Sequence, residues 1–281
     1  MNYFNNSVVI ITGAASGIGQ QLAIQASQQG AAVIATDINV PGLEETRKAG
    51  NNMMIQLLDV ADKDAVQAFA EGLIPTLNGK KLILINNAGV ALLSGSFHET
   101  TMEDIEWLFN INFWGVVRMT KAFYPYFISR NEGHIVNISS VFGLGGFSNQ
   151  SAYSPSKFAV RGFTETLRME LIGTGICTST VHPGGINTAI TSNAKARGRY
   201  AAHQHHSVRE FAKVAGTSPE KAAKIILEGI ARKKQRILIG KDARMIDIAT
   251  RLFPVSYSSM AAKQSRKLFS EPNANNNAHG F

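Results

Sequence analysis

Tyr153 and Lys157 stand four residues apart in a helix-like stretch, a spacing that sets both side chains on one helix face. A phenol ordinarily titrates near about 10, so a tyrosine that exchanges protons near neutral pH needs a group that stabilises its anion. An ammonium one turn away supplies such a field. Ser140, thirteen residues ahead of Tyr153 and at the expected carboxyl end of a strand, adds a hydroxyl that can hydrogen-bond a substrate oxygen. Together the three suit proton transfer at an alcohol or carbonyl oxygen. Tyrosine and lysine at this spacing also arise by chance on many helices, so the pair gains meaning only from its surroundings.

The second constellation reads as a cradle for phosphates. Thr12-Gly13-Ala14-Ala15-Ser16-Gly17-Ile18-Gly19 follows an apolar, strand-like run and opens a helix. Glycine lets backbone approach a pyrophosphate, and a helix N-terminus offers free N–H groups and the positive end of its dipole. Glycine-rich turns also serve as plain tight turns, but here Asp37 follows Gly19 by eighteen residues, at the end of the next strand-like run. A carboxylate there accepts hydrogen bonds from adenosine ribose hydroxyls and repels a 2′-phosphate. The competing reading is a solvated or helix-capping Asp. Neither Ala14 nor Ala15 is basic, and Arg47 is the nearest cation downstream. The pattern predicts NAD rather than NADP.

Positioning these groups falls to alternating short β-branched runs and longer helical patterns, which imply a parallel sheet covered on both faces. Strands are predicted at Val8–Thr12, Ala32–Asp37, Met54–Asp59, Leu82–Asn86, His134–Ser139, Thr178–His182 and Arg236–Ile239. Helices are predicted near Gly19–Gln29, Asp62–Leu77, Thr101–Arg130, Ala152–Ile172 and Pro219–Arg232. Right-handed crossovers then give an α/β, Rossmann-type, doubly wound, seven-stranded parallel sheet whose ligands sit at the carboxyl ends of the strands. One domain is expected over 1–255, with a polar substrate lid at about 187–216 and a basic C-terminal extension at 256–281, disordered at its Asn-rich end.

The ordered set Thr12–Gly19, Asp37, Asp59-Val60, Asn86-Asn87-Ala88-Gly89, Asn112, Ser140, Tyr153-x-x-x-Lys157 and Pro183-Gly184 resembles the short-chain dehydrogenase/reductase family over about residues 7–239. The resemblance implies an oxidoreductase that moves a hydride between a nicotinamide cofactor and an alcohol or ketone. It implies that Gly13, Ser16, Gly17, Ile18 and Gly19 hold the pyrophosphate, that Asp37 and Ile38 meet the adenosine ribose, and that Asp59 and Val60 contact the adenine. Asn87, Ala88 and Gly89 then line the cleft, while Pro183, Gly184 and Ile186 flank the nicotinamide and Thr188 bonds its carboxamide. Ser140 would polarise the substrate oxygen and Tyr153 transfer the proton. Lys157 would hold the nicotinamide ribose and lower the tyrosine pKa, and Asn112 would hold a water in a proton relay. Plainer readings stand beside these. Asn112 can be a mid-helix amide, Asp59 a strand end, Asn86 or Asn87 a sheet brace, and Pro-Gly a turn.

The leading reading is NAD(H)-dependent interconversion of an alcohol, secondary and apolar, and its ketone. The alternatives are an NADP(H)-dependent carbonyl reductase and a non-catalytic dinucleotide-sensing protein, which has no need to keep Ser140, Tyr153 and Lys157 together. Phe142, Leu144, Phe147, Ala91, Leu92 and Leu93 are candidate pocket walls or plain core. Lys195, Arg197 and Arg199 could face an acidic substrate group, although a solvated face is preferred. Family resemblance suggests a homodimer or homotetramer built partly through the Thr101 and Ala152 helices.

Composition narrows the classes further. With 281 residues, 44% hydrophobic and 17% charged, the chain suits a globular protein with a substantial core. Cys177 is the only cysteine, so an intramolecular disulfide and a Cys-rich zinc site are excluded. His203, His205 and His206 are read as solvated rather than metal-bound, so no metal is expected. The start of the chain lacks the pattern of a signal peptide and no run is long enough for a span, which predicts a cytoplasmic protein. From Ala231 onward there are ten Lys/Arg and three Asp/Glu, so this segment holds +7 of the net +8. The charge describes a basic tail on a near-neutral core and not a nucleic-acid-binding domain. Arg251, Lys263, Arg266 and Lys267 alternate with Phe253, Tyr257, Met260, Leu268 and Phe269. Such a tail can lie on an anionic membrane, but packing on the protein's own surface or a neighbouring subunit is the preferred reading.

Overall fold

Within β1 (Ser7–Thr12), Val9 and Ile11 enter one hydrophobic core while Val8 and Ile10 enter another. The two-residue period of a strand requires this when both faces of a sheet are covered. β4 (Lys81–Asn86) repeats the pattern with Ile83 and Ile85 against Leu82 and Leu84. The computed structural model describes residues 3–186, 194–197, 216–259 and 262. Its other strands are β2 (Ala32–Asp37), β3 (Met53–Leu57), β5 (Leu92–Leu93), β6 (Gly133–Ile138), β7 (Ile176–Pro183), β8 (Lys195–Ala196) and β9 (Arg236–Ile239). Seven form one sheet in the order β3-β2-β1-β4-β6-β7-β9, with every pairing parallel.

Leu22, Ala23 and Ala26 of α1 (Gly17–Gln28), Leu43 of α2 (Val40–Ala49) and Ile226 and Ile230 of α7 (Pro219–Ala231) cover one face. Val66 and Ala70 of α3 (Lys63–Leu73) and Met119, Phe123 and Phe127 of α5 (Gly115–Arg130) cover the other. The strand order runs outward in opposite directions from β1 and β4. Their carboxyl ends therefore open a crevice at the reversal, where open α/β sheets bind ligands. α6 (Tyr153–Glu170) is tied to the sheet edge through the Ser139 hydroxyl, which donates to the Lys157 carbonyl at 2.8 Å.

The doubly wound sheet matches the expectation, but several elements differ from it. The predicted helix over Thr101–Arg130 is α4 (Met102–Phe109), a π-helical turn at Asn110–Trp114, and then α5. The wider turn accompanies two close fits: Asn112 buries its amide against Val90, and a Cβ on Gly115 would meet Val60 Cγ2 at 2.7 Å. β3 ends at Leu57 rather than Asp59, which lies in the following turn. α2 escapes a reading of hydrophobic period because Pro41-Gly42 looks like a turn. It is started instead by Asn39, whose side chain accepts from Gly42 N at 3.1 Å. α8 (Lys241–Leu252) occupies a stretch too basic to stand out as a core helix. β5 and β8 pair in parallel over two residues each, too few for any periodicity to reveal.

Candidate active site

Gly13 and Gly17 adopt φ of +67° and +57°, the left-handed region that favours glycine. The turn they make is closed tightly from behind. A Cβ on Gly19 would stand 2.0 Å from the Gly13 carbonyl oxygen, and one on Gly13 would stand 2.7 Å from Ala88 Cα. Asn87 locks the arrangement by donating its amide to the carbonyls of Thr12 and Gly13, both at 3.0 Å. Thr12 Oγ1 in turn accepts from the N–H groups of Asn87 and Ala88, each at 3.0 Å. Ser16 starts α1 with its side chain making no capping bond, and no acid sits in the first turn. The first-turn N–H groups thus keep their positive end for an anion, and Ser16 and Ile18 border it. The cradle fits a pyrophosphate, and any side chain at Gly13 or Gly19 would collide with its framework.

Asp37 ends β2 at the lip of this turn. Its carboxylate accepts from Ala15 N and from Asn39 N, both at 3.0 Å, which fixes its orientation and leaves further lone pairs on each oxygen. Ile38 beside it is exposed, Asp59 is exposed, and Val60 is buried against Gly115. On the neighbouring strand end, Asn86 donates to Thr120 and Asn137, so it braces the sheet and does not face the cleft.

Ser140, Tyr153 and Lys157 converge. Tyr153 opens α6, and Lys157, one turn on, places Nζ 5.6 Å from the Tyr153 ring centre. The lysine is buried at 3% exposure and donates to the Ile138 carbonyl at 3.2 Å. Burial pulls its ammonium down to about 8. Burial also pushes the Tyr153 phenol up to about 12, opposed by a side-chain hydrogen bond with Ser140. In the chain by itself, desolvation is the larger of these two effects. Ser140 is held by two contacts: its Oγ accepts from Phe142 N at 3.2 Å, and its carbonyl pairs with His182 Nδ1 at 3.0 Å.

Asn112 is fully buried in the π-helical turn. Its Oδ1 accepts from Val90 N at 2.8 Å, and its Nδ2 donates to the Val90 carbonyl at 3.0 Å and to Ser156 Oγ at 3.4 Å. Both donors are engaged, so the amide's role in this geometry is to fix Val90 and, beside it, Gly89. A Cβ on Gly89 would lie 3.2 Å from Asn112 Oδ1 and 3.3 Å from Lys157 Nζ. Pro183 ends β7, Gly184 follows it, and Ile186 packs into the core. Thr188, Arg199, the three histidines at 203, 205 and 206, and most of the expected lid lie outside the described residues.

Two contributors carried no strong sequence signal. His182 is fully buried beneath Ser140, and burial lowers its pKa to about 4, so it stays neutral and supports Ser140 through a ring N–H. Asp242, in the first turn of α8, accepts from Gly185 N at 2.7 Å and so fixes the Pro183-Gly184-Gly185 turn.

Of the candidate pocket walls, Leu92 and Leu144 are buried core. Phe142 packs edge-on to Tyr153 at 5.7 Å and to Phe147 at 4.8 Å, forming an aromatic wall beside the phenol. Lys195 and Arg197 pair with Asp104, at 2.7 and 3.1 Å, rather than standing free for a substrate. Asp104 is fully buried. Burial opposes its ionisation, but the hydrogen bonds and charges of Lys195 and Arg197 outweigh it and hold the carboxyl below its usual range.

Residues 7–198 match the family model described as short chain dehydrogenase. The chain is 39% identical over 277 residues to SadH of Mycobacterium tuberculosis, named as an oxidoreductase, covering 96% of this chain and 99% of that one. It is 35% identical over 229 residues to the 3-oxoacyl-[acyl-carrier-protein] reductase FabG of Thermotoga maritima, covering 78% of this chain and 88% of that one. A short-chain dehydrogenase/reductase from Burkholderia phymatum, solved in complex with NAD, superposes with a TM-score of 0.77 at 25% identity, over 99% of this chain and 100% of that one. A serine dehydrogenase complexed with NADP+ superposes with a TM-score of 0.75 at 28% identity, over 83% and 94% of the two chains.

Proposed function

Because this chain belongs to the short-chain dehydrogenase family of oxidoreductases, we propose that it interconverts an apolar secondary alcohol and its ketone with NAD(H), using Tyr153 as acid and base. The observation that carries the reading is the convergence of Ser140, Tyr153 and Lys157 at the carboxyl edge of the sheet, beside the Gly13–Gly19 cradle. A bound nicotinamide dinucleotide supplies or accepts the hydride and, when oxidised, adds positive charge next to the phenol. Gly13, Ser16, Gly17, Ile18 and Gly19 hold its pyrophosphate. Pro183, Gly184 and Ile186 would flank its nicotinamide end, with Thr188 assigned to the carboxamide by the family resemblance alone, and Asn87, Ala88 and Gly89 would line the cleft between.

Tyr153 Oη takes the hydroxyl proton during oxidation and returns it during reduction. Ser140 Oγ hydrogen-bonds the substrate oxygen and orients it toward the phenol, and His182 holds Ser140 in place. Lys157 lends positive charge and binds the ribose, and its lowered pKa leaves it able to exchange protons in the mildly alkaline range. Asp37 selects NAD: its carboxylate is already oriented by Ala15 and Asn39, and it repels a 2′-phosphate. The Phe142–Phe147 pair against Tyr153 favours an apolar substituent on the carbinol carbon. The reductase name of the Thermotoga relative agrees with hydroxyl/ketone chemistry. Met102, Trp114, Ile128, Phe158 and Met169 leave α4 to α6, and Ile172 the turn after them, with exposed apolar side chains suited to a homodimer or homotetramer.

Steady-state kinetics with NAD and NADP across a panel of secondary alcohols tests the proposal. Wild type should prefer NAD, and Asp37→Ala should narrow or reverse that preference. Tyr153→Phe should keep dinucleotide binding and lose two or more decades of turnover, on the order expected for general acid–base catalysis. Preference of the wild type for NADP overturns the Asp37 reading; undiminished turnover in Tyr153→Phe overturns the role of the phenol.

A further inference from the structure

α8 sorts its charges by direction. Its two acids face inward, Asp242 onto Gly185 N and Asp247 onto Arg236 at 2.6 Å. Its cations Lys241 and Arg244 face solvent, and Arg251, also exposed, reaches back to Asp247 at 3.2 Å. Between them Met245, Ile248 and Leu252 recur three and four residues apart, which places them on one stripe of the same outward face. Phe253 and Val255 extend the stripe beyond the helix, and these five side chains are 52 to 81% exposed. The contacts of the two acids thus turn an apolar ridge flanked by cations outward. Tyr257, by contrast, folds back onto the protein, where its Oη accepts from Gly146 N at 2.9 Å.

A second copy of the chain fits this ridge poorly. An isologous contact would bring the cation-flanked ridge of one copy onto the same ridge of the other, and like charges so placed oppose association. Across α4 to α6 the exposed apolar residues stand among charges of both signs, which can pair across an interface between two copies. An anionic phospholipid layer fits both features, since apolar side chains enter the headgroup region while Lys and Arg pair with phosphates. The +7 carried from Ala231 onward strengthens the attraction. We propose that α8 docks this protein on anionic phospholipid surfaces, with Met245, Ile248 and Leu252 inserted and Lys241 and Arg244 at the headgroups.

Co-sedimentation of the full chain with vesicles tests this. Binding to equimolar phosphatidylcholine/phosphatidylglycerol vesicles should exceed binding to phosphatidylcholine alone by roughly tenfold or more in about 50 mM salt, and should collapse in about 500 mM salt. The Met245→Ser/Ile248→Ser/Leu252→Ser variant and the Lys241→Gln/Arg244→Gln variant should each weaken it by roughly tenfold, with melting temperature and dinucleotide binding unchanged. No binding to the anionic vesicles, or binding indifferent to both variants, overturns the proposal. So does a fall in the light-scattering mass of the serine variant, which would assign the ridge to a second copy.

Discussion

Replacing Lys157 by Met should make the protein more stable and inactive. The ammonium is buried, and its pKa falls from 10.5 to about 8 with desolvation as the cause. At roughly 1.4 kcal/mol per unit, that shift corresponds to about 3 kcal/mol of stability forgone wherever both folded and unfolded chains hold the proton. Met keeps a similar unbranched stem but loses the hydrogen bond to the Ile138 carbonyl, at a cost of about 1 kcal/mol. The net gain for Lys157→Met at neutral pH is therefore about 2 kcal/mol. The sign with pH follows from the direction of the shift. Below about 8 the wild type bears the whole penalty. Above it the folded lysine gives up its proton while the unfolded one keeps it, so wild-type stability climbs until pH passes 10.5. Urea melts at equal protomer concentration and without added dinucleotide, at about pH 7 and about pH 9.5, should show the margin of the Met variant shrinking by about 2 kcal/mol. A Met variant less stable than wild type at neutral pH, or a margin that does not change with pH, would refute the reasoning.

Three further outcomes follow from the geometry. Gly19→Ala should cost about 2 kcal/mol in stability and at least tenfold in dinucleotide affinity by fluorescence titration, because its Cβ would stand 2.0 Å from the Gly13 carbonyl. Tyr257→Phe removes the acceptor of the Gly146 N–H and frees the loop carrying Phe147, so KM for the organic substrate should rise roughly fivefold while KM for the dinucleotide holds. Asp104→Ala strands Lys195 and Arg197, but both are partly exposed and recover water. Chemical denaturation should therefore report a loss of about 1 to 2 kcal/mol rather than the larger penalty of a fully buried pair.

Local chemistry and periodicity made much of this protein legible in one dimension. Strands buried on both faces are largely apolar, so β1, β2 and β4 stand out as short aliphatic runs. Gly13 to Gly19, Asp37, Ser140, Tyr153 and Lys157 are local devices whose spacing follows from a strand, a turn and one helical turn. Tertiary structure alone decided what depends on distant packing. That Asn112 binds Val90 and not a free cleft, that Lys195 and Arg197 belong to Asp104, and that His182 and Asp242 support Ser140 and the Gly184 turn are contacts across 22 to 93 residues of chain. The balance at Tyr153 is of the same kind. Spacing put a lysine beside the phenol, but burial, a property of the assembled core, raises the phenol's pKa against the opposing hydrogen bond with Ser140.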